Sequence, residues 1–142
     1  MDTGPTRKGG LVDVFKWDSP RTVGVAQLDE QHRLLHRLIM GLIRTLEAAP
    51  GDPEAEKSFI RIFETAVVHF KTEEDYLEAQ GYPDLQPHRL EHELILDWFR
   101  DQTAQRDRPK ATPLMGLVKG IGEIIQDHQA TVDHAYAAWL EV

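Results

Sequence analysis

Residues 59–77 read FIRIFETAVVHFKTEEDYL. Apolar side chains recur at Phe59, Ile62, Phe63, Ala66, Phe70 and Leu77, three or four residues apart or at sums of those steps. That is the period of an amphipathic helix, not of a strand. Two polar residues, His69 and Glu73, fall on the same stripe, one turn apart on one face. Alone, a His–Glu pair at this spacing is an ordinary contact on a helix surface. The stripe therefore predicts a helix and leaves the pair open until the rest of the chain is read.

Upstream, Asp52 is placed to cap this helix, with Pro53 in the first helical position, where its missing N–H costs nothing. Downstream, Gly81 reads as its left-handed stop and Pro83 lies just beyond. A helix over about 25–48 precedes it, with a stripe of Leu28, Leu35, Ile39, Leu42 and Leu46 that also carries His32. A third begins near Asp84 and carries His88, His92, Ile95 and Phe99. A fourth starts with Thr112 as cap and Pro113 behind it, and runs through Leu117, Ile121, Ile125, His128, Val132, Tyr136 and Trp139. Gly116, Gly120 and Gly122 sit inside that fourth helix, where close packing against a neighbour would account for them. The expected fold is all-α: an antiparallel up-down-up-down four-helix bundle. Residues 1–10 read as a flexible tail and 11–24 as an extended arm, giving one domain over 11–142 with the bundle at 25–141.

The chain has 142 residues, a net charge of −8 and no cysteine. Disulfides, zinc–thiolate sites, iron–sulfur clusters and a cysteine nucleophile are excluded. No basic run of nucleic-acid-binding type is present. The apolar runs are too short for membrane insertion, and the N-terminus lacks the apolar core of a secretory signal, so a cytoplasmic location is expected. Any bound metal must be held by His, Asp and Glu, which favours iron, manganese or zinc.

Five of the seven histidines lie on the inward stripes of four helices: His32, His69, His88, His92 and His128. Glu73 stands among them. Burying such a set is costly without an ion or hydrogen-bond partners. Asp133 follows His128 by five residues, a rotation of about 140° on an ideal helix, so spacing alone does not place it with the others. If two octahedral ions shared Glu73, Asp133 and a solvent oxygen, five histidines would fill five of the six remaining positions. They would divide three and two, leaving one position open for a small molecule.

Trp17-Asp18, TVGV at 22–25, LDEQH at 28–32, HFKTEE at 69–74, GYP at 81–83, HRLEH at 88–92 and HQATVDHAY at 128–136 together resemble the hemerythrin family, bacterial members in particular. The resemblance spans Trp17 to Tyr136. It implies two non-haem iron ions, Fe2+ or Fe3+, with an oxo or hydroxo bridge, binding O2. It implies that His88, His92 and His128 hold the saturated iron, that His32 and His69 hold the iron with the vacancy, and that Glu73 and Asp133 bridge. It also implies that Leu35, Phe70 and Ile125 line the O2 pocket. Glu74 is turned about 100° from Glu73 and is expected to leave the metal face. His36 is expected at the boundary and His134 on the surface. The chain departs from the family's usual pattern at Ile124-Ile125, at Gln129 and at Leu77, departures that bear on pocket size and O2 affinity.

The expected function is reversible O2 binding for carriage, storage or delivery, without enzymatic activity. The alternatives are an O2- or redox-sensing module acting through a partner protein, or a peroxidase or NO-reducing enzyme at the same centre.

Overall fold

The computed structural model describes Trp17 and residues 21–141. The expected tail at 1–10 and most of the expected arm lie outside the described residues. The chain folds as α1 (Ala26–Ala48), α2 (Ala55–Gln80), α3 (Leu85–Ala104) and α4 (Leu114–His128). A π turn, Gln129–Asp133, leads from α4 into α5 (His134–Leu140), so the last three elements form the bundle's fourth rod. Among the described residues there is no strand. α1 packs on α2 and on α4, and α2 packs on α3. Short connections between neighbouring helices give the antiparallel bundle read from the stripes.

The ends of the helices follow local chemistry. Gly81 takes φ +74°, its N–H bonding Glu78 O and the next N–H, of Tyr82, reaching Leu77 O. That closes α2 in the way its glycine predicted. Asp52 and Pro53 fall short of the expected cap and first helical position: α2 begins at Ala55 after Glu54, and the Asp52 carboxylate instead braces the preceding turn, accepting the Glu54 N–H at 2.8 Å. Thr112 is not the cap of α4: Pro113 occupies that position, and the Thr112 carbonyl instead accepts from Arg106 at 2.5 Å. Asp29 in the first turn of α1 accepts the backbone N–H of Val23 at 2.7 Å and of Gly24 at 3.2 Å. Gly24 has φ +86°, which lets the chain fold back onto that carboxylate.

Close packing does not explain the α4 glycines at 116 and 120. A Cβ at Gly120 would meet Trp98 at 3.7 Å and one at Gly116 would meet Thr112 at 3.5 Å, both ordinary contacts.

The apolar core divides into two clusters. The larger holds Leu35, Ile39, Phe59, Ile62, Phe70, Ile95, Phe99, Ile121 and Ile125 among others. The smaller holds Val23, Leu28, Leu77, Tyr82, Leu85, Tyr136 and Ala137. Every rod crosses from one cluster to the other at the same level. α1 does so between Leu28 and Leu35, α2 between Phe70 and Leu77, α3 between Leu85 and Ile95, and the fourth rod between Ile125 and Tyr136. The polar stripe residues sit in that gap, as a layer sealed by hydrocarbon on both sides. Among the described residues no helix is long and apolar enough to cross a membrane.

Candidate metal centre

The layer is built from His32 on α1, His69 and Glu73 on α2, His88 and His92 on α3, His128 on α4 and Asp133 in the π turn. None is more than 2% exposed. Asp133 arrives through the backbone. The π turn widens the helix so that the His134 N–H bonds Gln129 O, five residues back. Five residues then make about one full turn. Asp133 returns to the face of His128, its Oδ1 lying 3.1 Å from His128 Nε2. The 140° objection held for an ideal α-helix and fails for this backbone.

The carboxylate oxygens sort the histidines. Glu73 Oε1 lies 2.8 Å from His88 Nε2 and 3.0 Å from His92 Nε2. Glu73 Oε2 lies 3.7 Å from His32 Nε2 and 3.5 Å from His69 Nε2. Asp133 Oδ1 meets His88 at 3.3 Å as well as His128, and Asp133 Oδ2 meets His32 at 3.4 Å. One oxygen of each carboxylate thus faces the His88, His92 and His128 group, and the other faces the His32 and His69 group. Donor atoms of each set, with both carboxylates, lie within 4.8 Å of one another.

The outward nitrogens fix the tautomers. His32 Nδ1 lies 3.2 Å from the Arg21 carbonyl, which only accepts, so Nδ1 carries a proton and Nε2 is the atom turned to the layer. His69 Nδ1 lies 2.8 Å from Gln31 Oε1. Gln31 Nε2 donates to Thr72, whose hydroxyl donates to Val68 O, so the amide oxygen must face His69. His92 Nδ1 donates to Glu74 at 2.7 Å and His128 Nδ1 to Glu91 at 3.4 Å. Four imidazoles are therefore held by Nδ1 with Nε2 facing inward, the atom a metal would take in place of a proton.

Sequence reading missed several of these partners. Tyr136 stands on the stripe of the fourth helix with nothing in the sequence to mark a polar role, yet its hydroxyl donates to Glu73 Oε2 at 2.7 Å. Burial, with Glu73 and Asp133 nearby, raises its pKa and keeps the donor proton in place. Gln31 and Glu91 each adjoin a stripe histidine in sequence, the one signal that could have flagged them. Glu74 does leave the layer, and it backs His92. Leu35, Phe70 and Ile125 are all buried in the larger cluster, and the Phe70 ring stacks on His92 at 3.9 Å. His134 is exposed. His36 lies at the boundary, its Nε2 bonding the Trp17 carbonyl and its ring edge-on to the buried Trp17 indole.

The metal-free electrostatics are those of a loaded trap. Burial lowers the His32 pKa, but Asp133 and Glu73 overcome it and raise it to about 10. The same balance lifts His88 to about 9 and raises His128. Burial holds His69 down at about 4. Burial also works against ionised Glu73, yet the imidazoles of His32, His88 and His92 hold its carboxyl well below the usual range. Asp133 is lowered likewise, against burial and Glu73, by His128 and His32. Protons thus occupy positions that cations could take.

Residues 23–140 match the model of the hemerythrin family, described as the hemerythrin HHE cation binding domain. The chain belongs to the hemerythrin family. A hemerythrin-like protein of Naegleria gruberi is 34% identical over 82 residues, 58% of this chain and 63% of that protein, so the match spans less than two thirds of that relative. A bacteriohemerythrin of Methylococcus capsulatus is 26% identical over 113 residues, covering 79% of this chain and 85% of the relative. A myohemerythrin of Theromyzon tessulatum is 28% identical over 90 residues, 63% of this chain and 69% of the relative. No solved structure matches significantly.

The hemerythrin domain binds a di-iron centre, and the layer suits one. His32 Nε2 and both Asp133 oxygens are buried within 3.4 Å of counterparts, yet none is aligned as a hydrogen bond. Histidine with carboxylate is a donor set that iron accepts.

Proposed function

We propose that this chain binds O2 reversibly at a di-iron centre, as a carrier, store or local deliverer. His88, His92 and His128 would hold one ion, His32 and His69 the other, and Glu73 and Asp133 would bridge both. The observation that carries this reading is the three-and-two sorting of imidazoles by the paired carboxylate oxygens. It leaves one fewer protein ligand on the His32 and His69 side. Two ferrous ions would supply one electron each to a single O2 and recover them on release.

The side chains account for reversibility. Leu35, Phe70 and Ile125 keep water from the guest, and protons with it. Tyr136 fixes the Glu73 oxygen on the two-histidine side by a bond that burial preserves. Glu74 and Glu91 orient His92 and His128.

The test is to load the protein with ferrous iron anaerobically, admit air and then remove O2. A visible absorption band should appear and then vanish. Irreversible bleaching to ferric protein would contradict the proposal. One contact favours a second reading, as an O2 or redox sensor acting through a partner. The Arg21 carbonyl, on the segment before α1, bonds His32 directly. An O2-dependent change in proteolysis before residue 25 would favour the sensor; identical cleavage would count against it.

A further inference from the structure

Gln129 is buried in the layer without a role in the scheme above. It follows His128, opens the π turn and is 2% exposed. Neither its Nε2 nor its Oε1 has a hydrogen-bond partner among the protein groups of the described residues. Among the described residues, the other partnerless buried side-chain atoms belong to His32, His88 and Asp133, all members of the donor layer. A buried amide with donor and acceptor both unmet is costly compared with a hydrocarbon of the same size. The chain carries that cost at a position where the helix stripe would take an apolar residue.

Position says what the amide addresses. Gln129 lies four residues after Ile125, on the same face of the rod and one turn nearer Asp133. Ile125 shares a buried cluster with Leu35 and Phe70. We propose that the Gln129 amide is the hydrogen-bonding residue for the small guest of the centre, donating from Nε2 to a guest oxygen and slowing its release. This rests on the O2-binding reading above. It makes the pocket selective for small molecules that present an acceptor atom, in a wall that is otherwise hydrocarbon.

Gln129→Met keeps the length of the side chain and removes both polar atoms. In the metal-free protein, followed by calorimetry, the variant should melt roughly 2–5 °C higher, because an unmet amide is relieved. In the iron-loaded protein, oxygenated and mixed with an O2 scavenger in a stopped-flow cell, release should quicken about 2- to 12-fold, the worth of one hydrogen bond. A lower melting point in the metal-free variant would show that the amide holds a protein group or a fixed water, and would overturn the proposal. Equal release rates, with reversible binding in both proteins, would overturn it while leaving the O2 reading standing. Absence of reversible uptake by the unaltered protein would sink both, a failure visible before any variant is made.

Discussion

The two halves of the donor layer differ more in what stands behind the histidines than in the histidines themselves. Behind His92 and His128 stand carboxylates, Glu74 and Glu91. Behind His32 and His69 stand neutral acceptors, the Arg21 carbonyl and the Gln31 amide. A carboxylate partner makes an imidazole more basic and a better ligand to a highly charged ion. On the proposed assignment, the saturated side is electron-rich and fixed, and the open side is electron-poor and tied to the segment before α1. Asymmetry of this kind directs the guest to one ion of the pair.

The largest expected effect is loss of what the halves share. Glu73→Ala removes the carboxylate that faces four of the five imidazoles, so iron per chain, measured after desalting, should fall from two to one or none. Retention of two ions would refute the bridging role. Next come the outer partners. Glu74→Ala should weaken iron binding about 10- to 100-fold in a chelator competition, yet keep the O2-dependent band at saturating iron. Gln31→Leu, behind a neutral contact, should cost less. If it costs more than Glu74→Ala, the contrast between the halves is wrong.

Proton linkage gives a third comparison. The raised pKa values of His32 and His88, about 10 and about 9, stabilise the metal-free protein fully below pH 6.5. That contribution is lost as pH rises through 9 to 10. The lowered pKa of His69, about 4, acts in the other sense: its contribution is present above 6.5 and lost as pH falls through 4. The metal-free melting point should therefore decline toward alkaline pH. The iron-loaded protein should lack that decline, because the ions replace the protons. Matching alkaline profiles would contradict the shared positions. The smallest effect lies outside the layer. Asp29→Ala frees the Val23 and Gly24 N–H groups and should cost about 2 kcal/mol, a fall of about 6 °C, with iron content unchanged.

The helices were legible because burial imposes a period, and Phe59 through Leu77 show it without a gap. Six of the seven layer residues were legible for the same reason, since each sits on an inward stripe. Asp133 was not legible from spacing. Nothing in QATVD announces a π turn, and its effect on facing is set by tertiary packing. It had to be taken from family resemblance. Tyr136 was hidden differently: an aromatic on a core stripe looks the same whether or not its hydroxyl finds a carboxylate. Gln31 and the Arg21 carbonyl reach their histidines across long sequence separations or through the backbone, where no side-chain pattern records them. Thr112 misled because its sequence fits a cap, while the helix begins one step later and takes Pro113.

Mössbauer spectroscopy of protein loaded with isotopically enriched iron and exposed to O2 tests the unequal halves most directly. The division of three histidines against two, with different groups behind them, predicts two iron environments of equal abundance. A single environment, or one iron per chain, would contradict it.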